Sequence, residues 1–364
     1  MKKGQTSGFL LGVILSIIGF LVVLGFLYFT FIAVEETFDK HTCRSSVIAR
    51  DAVNLGDKDI LVDAVPLKCK TEKICIRSKD SGNCVREFGK EDQSNPVRFV
   101  RLDENDDIAK VQILDTFARA MYDCHWMLGE GERDFLKGGW ISPTKYCIIC
   151  SRVIFDIDEE RGYNLSKELS MMDLLRYLDY MEDNEGRTFF EAIYKLNNSR
   201  DLVEFFNRDR ANMIEAIKKE KENRKEEFAD LDIEEIERVS LTQISFLSER
   251  DNSIVASFYR EGSISGIFGV PLILGAASIA VGGVGAVLTF SVVGSGLGVP
   301  LLGASVLLKS AAISATFVVA GGSLTGVGIS MAQKYDGKHI YSTPTILPSN
   351  SVRDLECDSF ENIP

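Results

Sequence analysis

Residues 262–333 read GSISGIFGVPLILGAASIAVGGVGAVLTFSVVGSGLGVPLLGASVLLKSAAISATFVVAGGSLTGVGISMAQ, and they hold half of the chain's 30 glycines and one charge, Lys309. A helix crossing the hydrocarbon core of a bilayer needs about 20 apolar residues. The stretch is too long for one such helix and suits two. Gly294-Ser295-Gly296-Leu297-Gly298-Val299-Pro300 offers the place for the chain to reverse, since glycine and proline punctuate regular structure. This predicts helices near Ile267–Val293 and Leu301–Ala332. Ser278, Gly282 and Ala286 are four apart, as are Gly322, Gly326 and Ser330. In lipid such small residues let two helices approach closely, so both trios are candidate packing positions. No ring of acids or bases within the stretch points to selective conduction.

A second uncharged run, Gly4–Val34, follows Met1-Lys2-Lys3. It is longer than the apolar core of a signal peptide, about 7–15 residues, and no A-x-A-like site ends it. It therefore reads as a retained span with its two lysines in the cytoplasm. The sequence thus divides into an N-terminal transmembrane anchor (1–34), an extracytoplasmic domain (35–261), a glycine-rich transmembrane hairpin (262–333) and an outer tail (334–364). Two C-terminal spans return the tail to the side of the domain, and Lys309 near the inner turn can snorkel to the cytoplasmic surface. The expected location is the cell membrane, multi-pass, with the bilayer as the first partner and a homo-oligomer or an envelope protein as the second.

The chain of 364 residues has a formal charge of −12. That balance argues against nucleic acid, whose phosphates need clustered Lys and Arg. Its eight cysteines are Cys43, Cys69, Cys75, Cys84, Cys124, Cys147, Cys150 and Cys357. An even number beside membrane segments fits an oxidising compartment, so all eight are expected in disulfides, with connectivity left open.

Within 35–261, β-rich runs occur at Ile74–Arg77, Val97–Leu102 and Tyr146–Ile157. Lys79-Asp80-Ser81-Gly82-Asn83 reads as a hairpin turn with Cys75 and Cys84 on its arms, positioned for a cross-hairpin bond. Asp106 is the expected cap of a helix carrying Ile108, Val111, Leu114, Phe117, Ala118 and Met121, with Gly129 as its stop. Leu169–Met181, Phe189–Leu196 and Leu202–Phe228 also read as helices. A last hairpin pairs 239–244 with 254–259 across the turn Glu249–Ser253. Strands at both ends with helices between them give an α+β domain in which that last hairpin joins the early strands. A split into two sub-domains near Glu159 is the alternative.

Two local resemblances extend this reading. Lys3-Gly4-Gln5-Thr6-Ser7 before an apolar helix resembles the class III signal peptide of archaeal pilin-like proteins, which implies cleavage after Gly4. That pattern expects glutamate at the fifth mature position, where this chain has Phe9. Further on stand Leu67-Lys68-Cys69-Lys70-Thr71, Met121-Tyr122-Asp123-Cys124-His125-Trp126 with Gly129-Glu130-Gly131, and Cys147-Ile148-Ile149-Cys150. These are similar to uncharacterised archaeal membrane-anchored cell-surface proteins with a cysteine-bearing outer domain. The similarity implies a location and an architecture, and no activity.

Candidate chemistry is sparse. Cys147-x-x-Cys150 has thioredoxin-like spacing, but reactive pairs of that kind sit at a helix N-terminus. Here the flanking Tyr146, Ile148, Ile149 and Val153 describe a strand. His41-x-Cys43 with that pair supplies four N/S atoms for zinc, without the second CxxC that a zinc ribbon carries. Gly129-Glu130-Gly131-Glu132 lacks the Gly-Lys-Ser/Thr ending of a phosphate loop. Glu130, Glu132 and Asp134 offer carboxylates for glycoside hydrolysis, and His125 beside Trp126 reads as a packing residue. No cofactor is implied. The function expected is a membrane-anchored structural or interaction protein of the cell surface. The rivals are an envelope thiol-disulfide oxidoreductase using Cys147 and Cys150, and a channel or secretion subunit built on the glycine-rich hairpin.

Overall fold

The computed structural model describes residues 39–53, 65–78, 83–88, 96–133, 135–136, 145–157, 168–200, 250–260, 276–282, 285–293, 312–320, 323–334 and 339–349, with residues 161, 165, 247, 352, 357 and 359–361. Helix α1 covers 39–53. It is followed by β1 (Glu72–Arg77), α2 (Asn83–Glu87), β2 (Val97–Arg101), α3 (Asp106–Met127), β3 (Lys145–Asp156), α4 (Met171–Tyr180), α5 (Phe189–Tyr194) and β4 (Asp251–Arg260). After these come β5 (Ala276–Gly282), β6 (Gly285–Val293), β7 (Ala312–Ala320), β8 (Ser323–Lys334), β9 (His339–Pro348) and β10 (Ser359–Glu361). The expected anchor at 1–34, the helix at 202–228, the first arm of the last hairpin at 239–244, the glycine-proline break at 294–300 and Lys309 lie outside the described residues.

The architecture is α+β. Its centre is a five-strand mixed sheet in the order β2-β1-β3-β4-β9, with β10 beside the first half of β3. β1 is parallel to both β2 and β3, and β4 is antiparallel to β3 and β9. Parallel neighbours need a crossover, and the long connection from β2 to β3 contains α3. The expected hairpin over Lys79–Asn83 is therefore not formed: Asn83 begins α2, and β1 and β2 run the same way.

Residues on both sides of Glu159 share one core, so the two-sub-domain alternative is set aside. Ile74, Ile76, Phe117, Met121, Val153, Phe155, Leu174, Leu175, Phe190 and Phe258 are buried together in it. A β-bulge between Ile149 and Ser151 sets which residues of β3 reach this core. Side chains alternate with period two along a strand, and an inserted residue reverses the parity. Tyr146, Ile148 and Cys150 face the helices before the bulge, and Val153 and Phe155 do so after it. Cys147 and Ile154 lie in the smaller clusters of the opposite face.

The cap of α3 lies one residue before the expected one, at Asn105 in place of Asp106. Asn105, with extended backbone, accepts hydrogen bonds from the amides of Asp107 and Ile108 (2.9 and 3.3 Å). Asp106 and Asp107 then sit in the first turn, where acids complement the helix dipole. Leu114, Phe117, Ala118 and Met121 are buried as the periodicity suggests, but Ile108 and Val111 are half exposed and Ala109 and Ile113 take the core positions.

The stretch after β4 differs from expectation. In place of two helices the structure describes an antiparallel meander, β5-β6-β7-β8, which continues the sheet from β9. Among the described residues no helix is long and apolar enough to cross a membrane. Glycine and the β-branched Val, Ile and Thr of this stretch are weak helix formers, and its register segregates residues with period two. Leu288↔Phe317, Phe290↔Ala315 and Val292↔Ile313 share one face. Thr289↔Thr316 and Ser291↔Ser314↔Ser330 share the other. A spacing of four lies on one face of a helix and also on one face of a strand. Ser278, Gly282, Gly326 and Ser330 accordingly fall on the small-residue face of the meander, Ala286 on the opposite face, and Gly322 outside the described residues.

Nor is 334–364 a separate tail. β9 lies against β4 in the central sheet, Tyr341 is fully buried, and Cys357 is bonded to Cys147.

Candidate functional site

The chemistry-bearing residues gather around the first half of β3 and the C-terminal end of α3. Cys147 and Cys150 do not bond to each other. Cys150 faces the helices and pairs with Cys124 of α3, while Cys147 faces the other side and pairs with Cys357. Strand geometry gives the reason: residues three apart point to opposite faces, and the bulge between Ile149 and Ser151 reverses the alternation only for the residues after Cys150. The dithiol of an oxidoreductase is therefore not assembled here, and both cysteines are buried.

The other bonds are Cys43–Cys69, joining α1 to the segment before β1, and Cys75–Cys84, joining β1 to α2. The Cys75–Cys84 pair is the one expected, as a strand-to-helix staple in place of a cross-hairpin one. All eight cysteines are paired, with none free. The zinc set loses its ligands, because Cys43, Cys147 and Cys150 are all in disulfides. Cys75, Cys84 and Asp156 do lie close together, but two bonded sulfurs offer no thiolate to a metal.

α3 ends in three successive residues with left-handed backbone: Gly129 (φ 79°), Glu130 (φ 60°) and Gly131 (φ 71°). The amides of Gly129 and Glu130 bond to the carbonyls of Trp126 and His125 (3.1 and 2.9 Å), which closes the helix. This turn holds the Glu130 side chain against two arginines. Arg44 donates to Glu130 Oε1 (3.0 Å) and to the Trp126 carbonyl (2.6 Å), with its guanidinium 4.5 Å from the Trp126 ring centroid. Arg187 Nη1 is 3.7 Å from Glu130 Oε2 and its Nη2 is 2.9 Å from Asp183. The Tyr122 hydroxyl donates to Asp183 (3.4 Å). Burial, then the nearby carboxylates of Asp183 and Glu130, pushes Tyr122 up to about 12. Burial also acts to raise Asp183, but the backbone amides of Arg187 and Glu185 and the Arg187 guanidinium outweigh it and hold Asp183 below its usual range.

These carboxylates are engaged with arginine, so Glu130 is not set up as a general acid or nucleophile. Glu132 is exposed, with Lys195 3.9 Å away, and Asp134 lies outside the described residues. His125 is fully buried with Nδ1 2.9 Å from the Tyr341 hydroxyl. Burial, followed by the positive charges of Lys195, Arg187 and Arg44, lowers it to about 3. A neutral imidazole shut away from water packs, as its sequence context suggests.

The arrangement is a cross-linked and ion-paired scaffold. Sequence reasoning missed the Arg44–Glu130–Arg187 cluster, whose members are 86 positions apart at the first contact, and no local pattern marks it. No protein-family model matches the chain, and no curated protein or solved structure matches it either.

Proposed function

We propose that the chain is a membrane-anchored, extracytoplasmic structural or interaction protein, held in a bilayer by the apolar runs at 4–34 and 262–333. The observation that carries this reading is the complete pairing of the cysteines: four disulfides, no free thiol. Disulfides persist outside the reducing cytoplasm. The Cys147–Cys357 bond joins the chain before the second apolar run to the chain after it, and a bond of this kind needs both cysteines on one side of a membrane, which supports an even number of crossings. The partners proposed are the bilayer and a second copy or an envelope protein, with no nucleic acid. The dithiol-oxidoreductase alternative has no support in a CxxC whose halves bond elsewhere.

A second reading, a subunit of a membrane channel or secretion assembly, is favoured by one observation. β6 and β7 alternate apolar residues on one face with Thr289, Ser291, Ser314 and Thr316 on the other. Strands of membrane barrels alternate in this way, and among the described residues β5 ends the sheet, an edge that a barrel would have to close.

The test is fractionation and protease protection. The protein should stay with membranes through alkaline washing, and protease added to intact cells should remove a tag placed after Pro364. A protein released by alkaline washing, or a tag protected until the membrane is opened, contradicts the reading.

A further inference from the structure

We propose that Asn197 carries an N-linked glycan; this rests on the extracytoplasmic reading above. The chain holds two Asn-x-Ser/Thr triplets, Asn164-Leu165-Ser166 and Asn197-Asn198-Ser199. Such a triplet accepts a glycan where its asparagine ends on the surface, because the group is bulky and must stay in water. Asn164 lies outside the described residues. Asn197 is described, and its surroundings meet the condition.

α5 closes at Lys195, whose left-handed backbone (φ 55°) turns the chain and whose amide donates to the Glu191 carbonyl (2.9 Å). Leu196 then packs against the core. Ser199 is buried, and its amide donates to Asp179 of α4 (2.7 Å). Between these two attachments Asn197 is exposed, as is Arg200 after them. The turn is pinned on both sides with its asparagine left outside, so a glycan there displaces no part of the core.

Ser199 fixes the order of events. Its hydroxyl completes the triplet that the transferase reads, yet in the fold this residue is only 6 % exposed. Transfer therefore comes before the segment after α5 settles against α4, while the chain is still being delivered across the membrane. The donor is a saccharide linked through phosphate to a membrane lipid. The amide nitrogen of Asn197 bonds to the anomeric carbon as the carbon–oxygen bond to phosphate breaks. The lipid phosphate leaves, and the amide proton is released with it.

The experiment uses the full chain purified from membranes of the cells that make it, with thiols trapped before lysis. Trypsin frees Leu196–Arg200, between Lys195 and Arg200, and mass spectrometry with fragmentation should find saccharide on Asn197. Asn197→Gln and Ser199→Ala should each remove it. Asn198→Gln and Ser199→Thr, which keep the triplet, should retain it. An unmodified Leu196–Arg200 peptide in a protein whose cysteines are oxidised overturns the proposal and leaves the compartment reading intact. So does a modification that survives in Ser199→Ala. Cysteines found reduced overturn the extracytoplasmic reading and this proposal with it.

Discussion

His125 and Tyr341 are 216 positions apart, yet Nδ1 of the one lies 2.9 Å from the hydroxyl of the other with both residues fully buried. This contact fastens β9, which comes after the apolar run, to α3, which comes before it. Tyr341 also packs on Phe258, with ring centroids 5.2 Å apart. The chain beyond residue 334 is thus part of the domain's core.

The burial of His125 sets a pH dependence. The imidazole is held near 3 in the folded state and returns to about 6.5 when unfolded. Because the folded value is depressed, the unfolded chain binds the extra proton between these limits. Stability should be full above pH 6.5 and fall as pH drops toward 3, by about 1.4 kcal/mol per unit for this one proton. Denaturant unfolding at pH 7, 6 and 5 measures it, and His125→Gln should remove that share of the slope. An unchanged slope in the variant would show that other groups produce it.

The turn after α3 predicts a difference between two glycines. Gly129 and Gly186 have nearly the same backbone (φ 79° and 77°), so alanine is strained at both, by about 1–2 kcal/mol. At Gly129 the new Cβ would also lie 2.4 Å from Arg133 Cγ, while at Gly186 it meets nothing within 4 Å. Gly129→Ala should therefore be the more destabilising in thermal unfolding. Equal losses would mean that Arg133 moves aside freely.

Cross-links should differ in weight by the chain they close. Cys147–Cys357 spans 210 positions and Cys75–Cys84 spans 9. By loop-closure entropy these correspond to about 5 and about 2.6 kcal/mol, the first reduced where the other bonds already shorten the loop. Replacing both members of each pair by alanine and comparing denaturant midpoints should show the larger loss for Cys147/Cys357. The reverse order would place the weight of that bond in the folded state's local packing.

Much of the central sheet is legible in the sequence, because β1, β2 and β3 are runs of apolar and β-branched residues bounded by polar turns. The split of Cys147 from Cys150 was also within reach: once that segment reads as a strand, residues three apart face opposite ways. Other features are hidden for physical reasons. β9 contains Pro344, which argues against an interior strand. Pro344 falls where the β4–β9 register shifts between Val255 and Ser257, so its missing N–H costs no ladder bond. α3 has enough apolar residues to place Ile108 and Val111 on its buried face, and only the packing of Ala109 and Ile113 decides against them. In the glycine-rich run, the four-residue spacing of Ser278 and Gly282 suits helix and strand alike, and the strand pairing emerges only from the register of neighbouring segments. The ion-paired turn at Glu130 depends on Arg44 and Arg187, which sequence separation conceals.

The central claim is that this chain matures where disulfides form and hold. The direct measurement is thiol trapping in the cells that make it: acid quenching, denaturation without reductant, alkylation and intact mass. The account predicts no alkyl adduct on any of the eight cysteines, and full modification once reductant is added. Adducts on most of them before reduction would contradict it, and the extracytoplasmic assignment would fall with the disulfides.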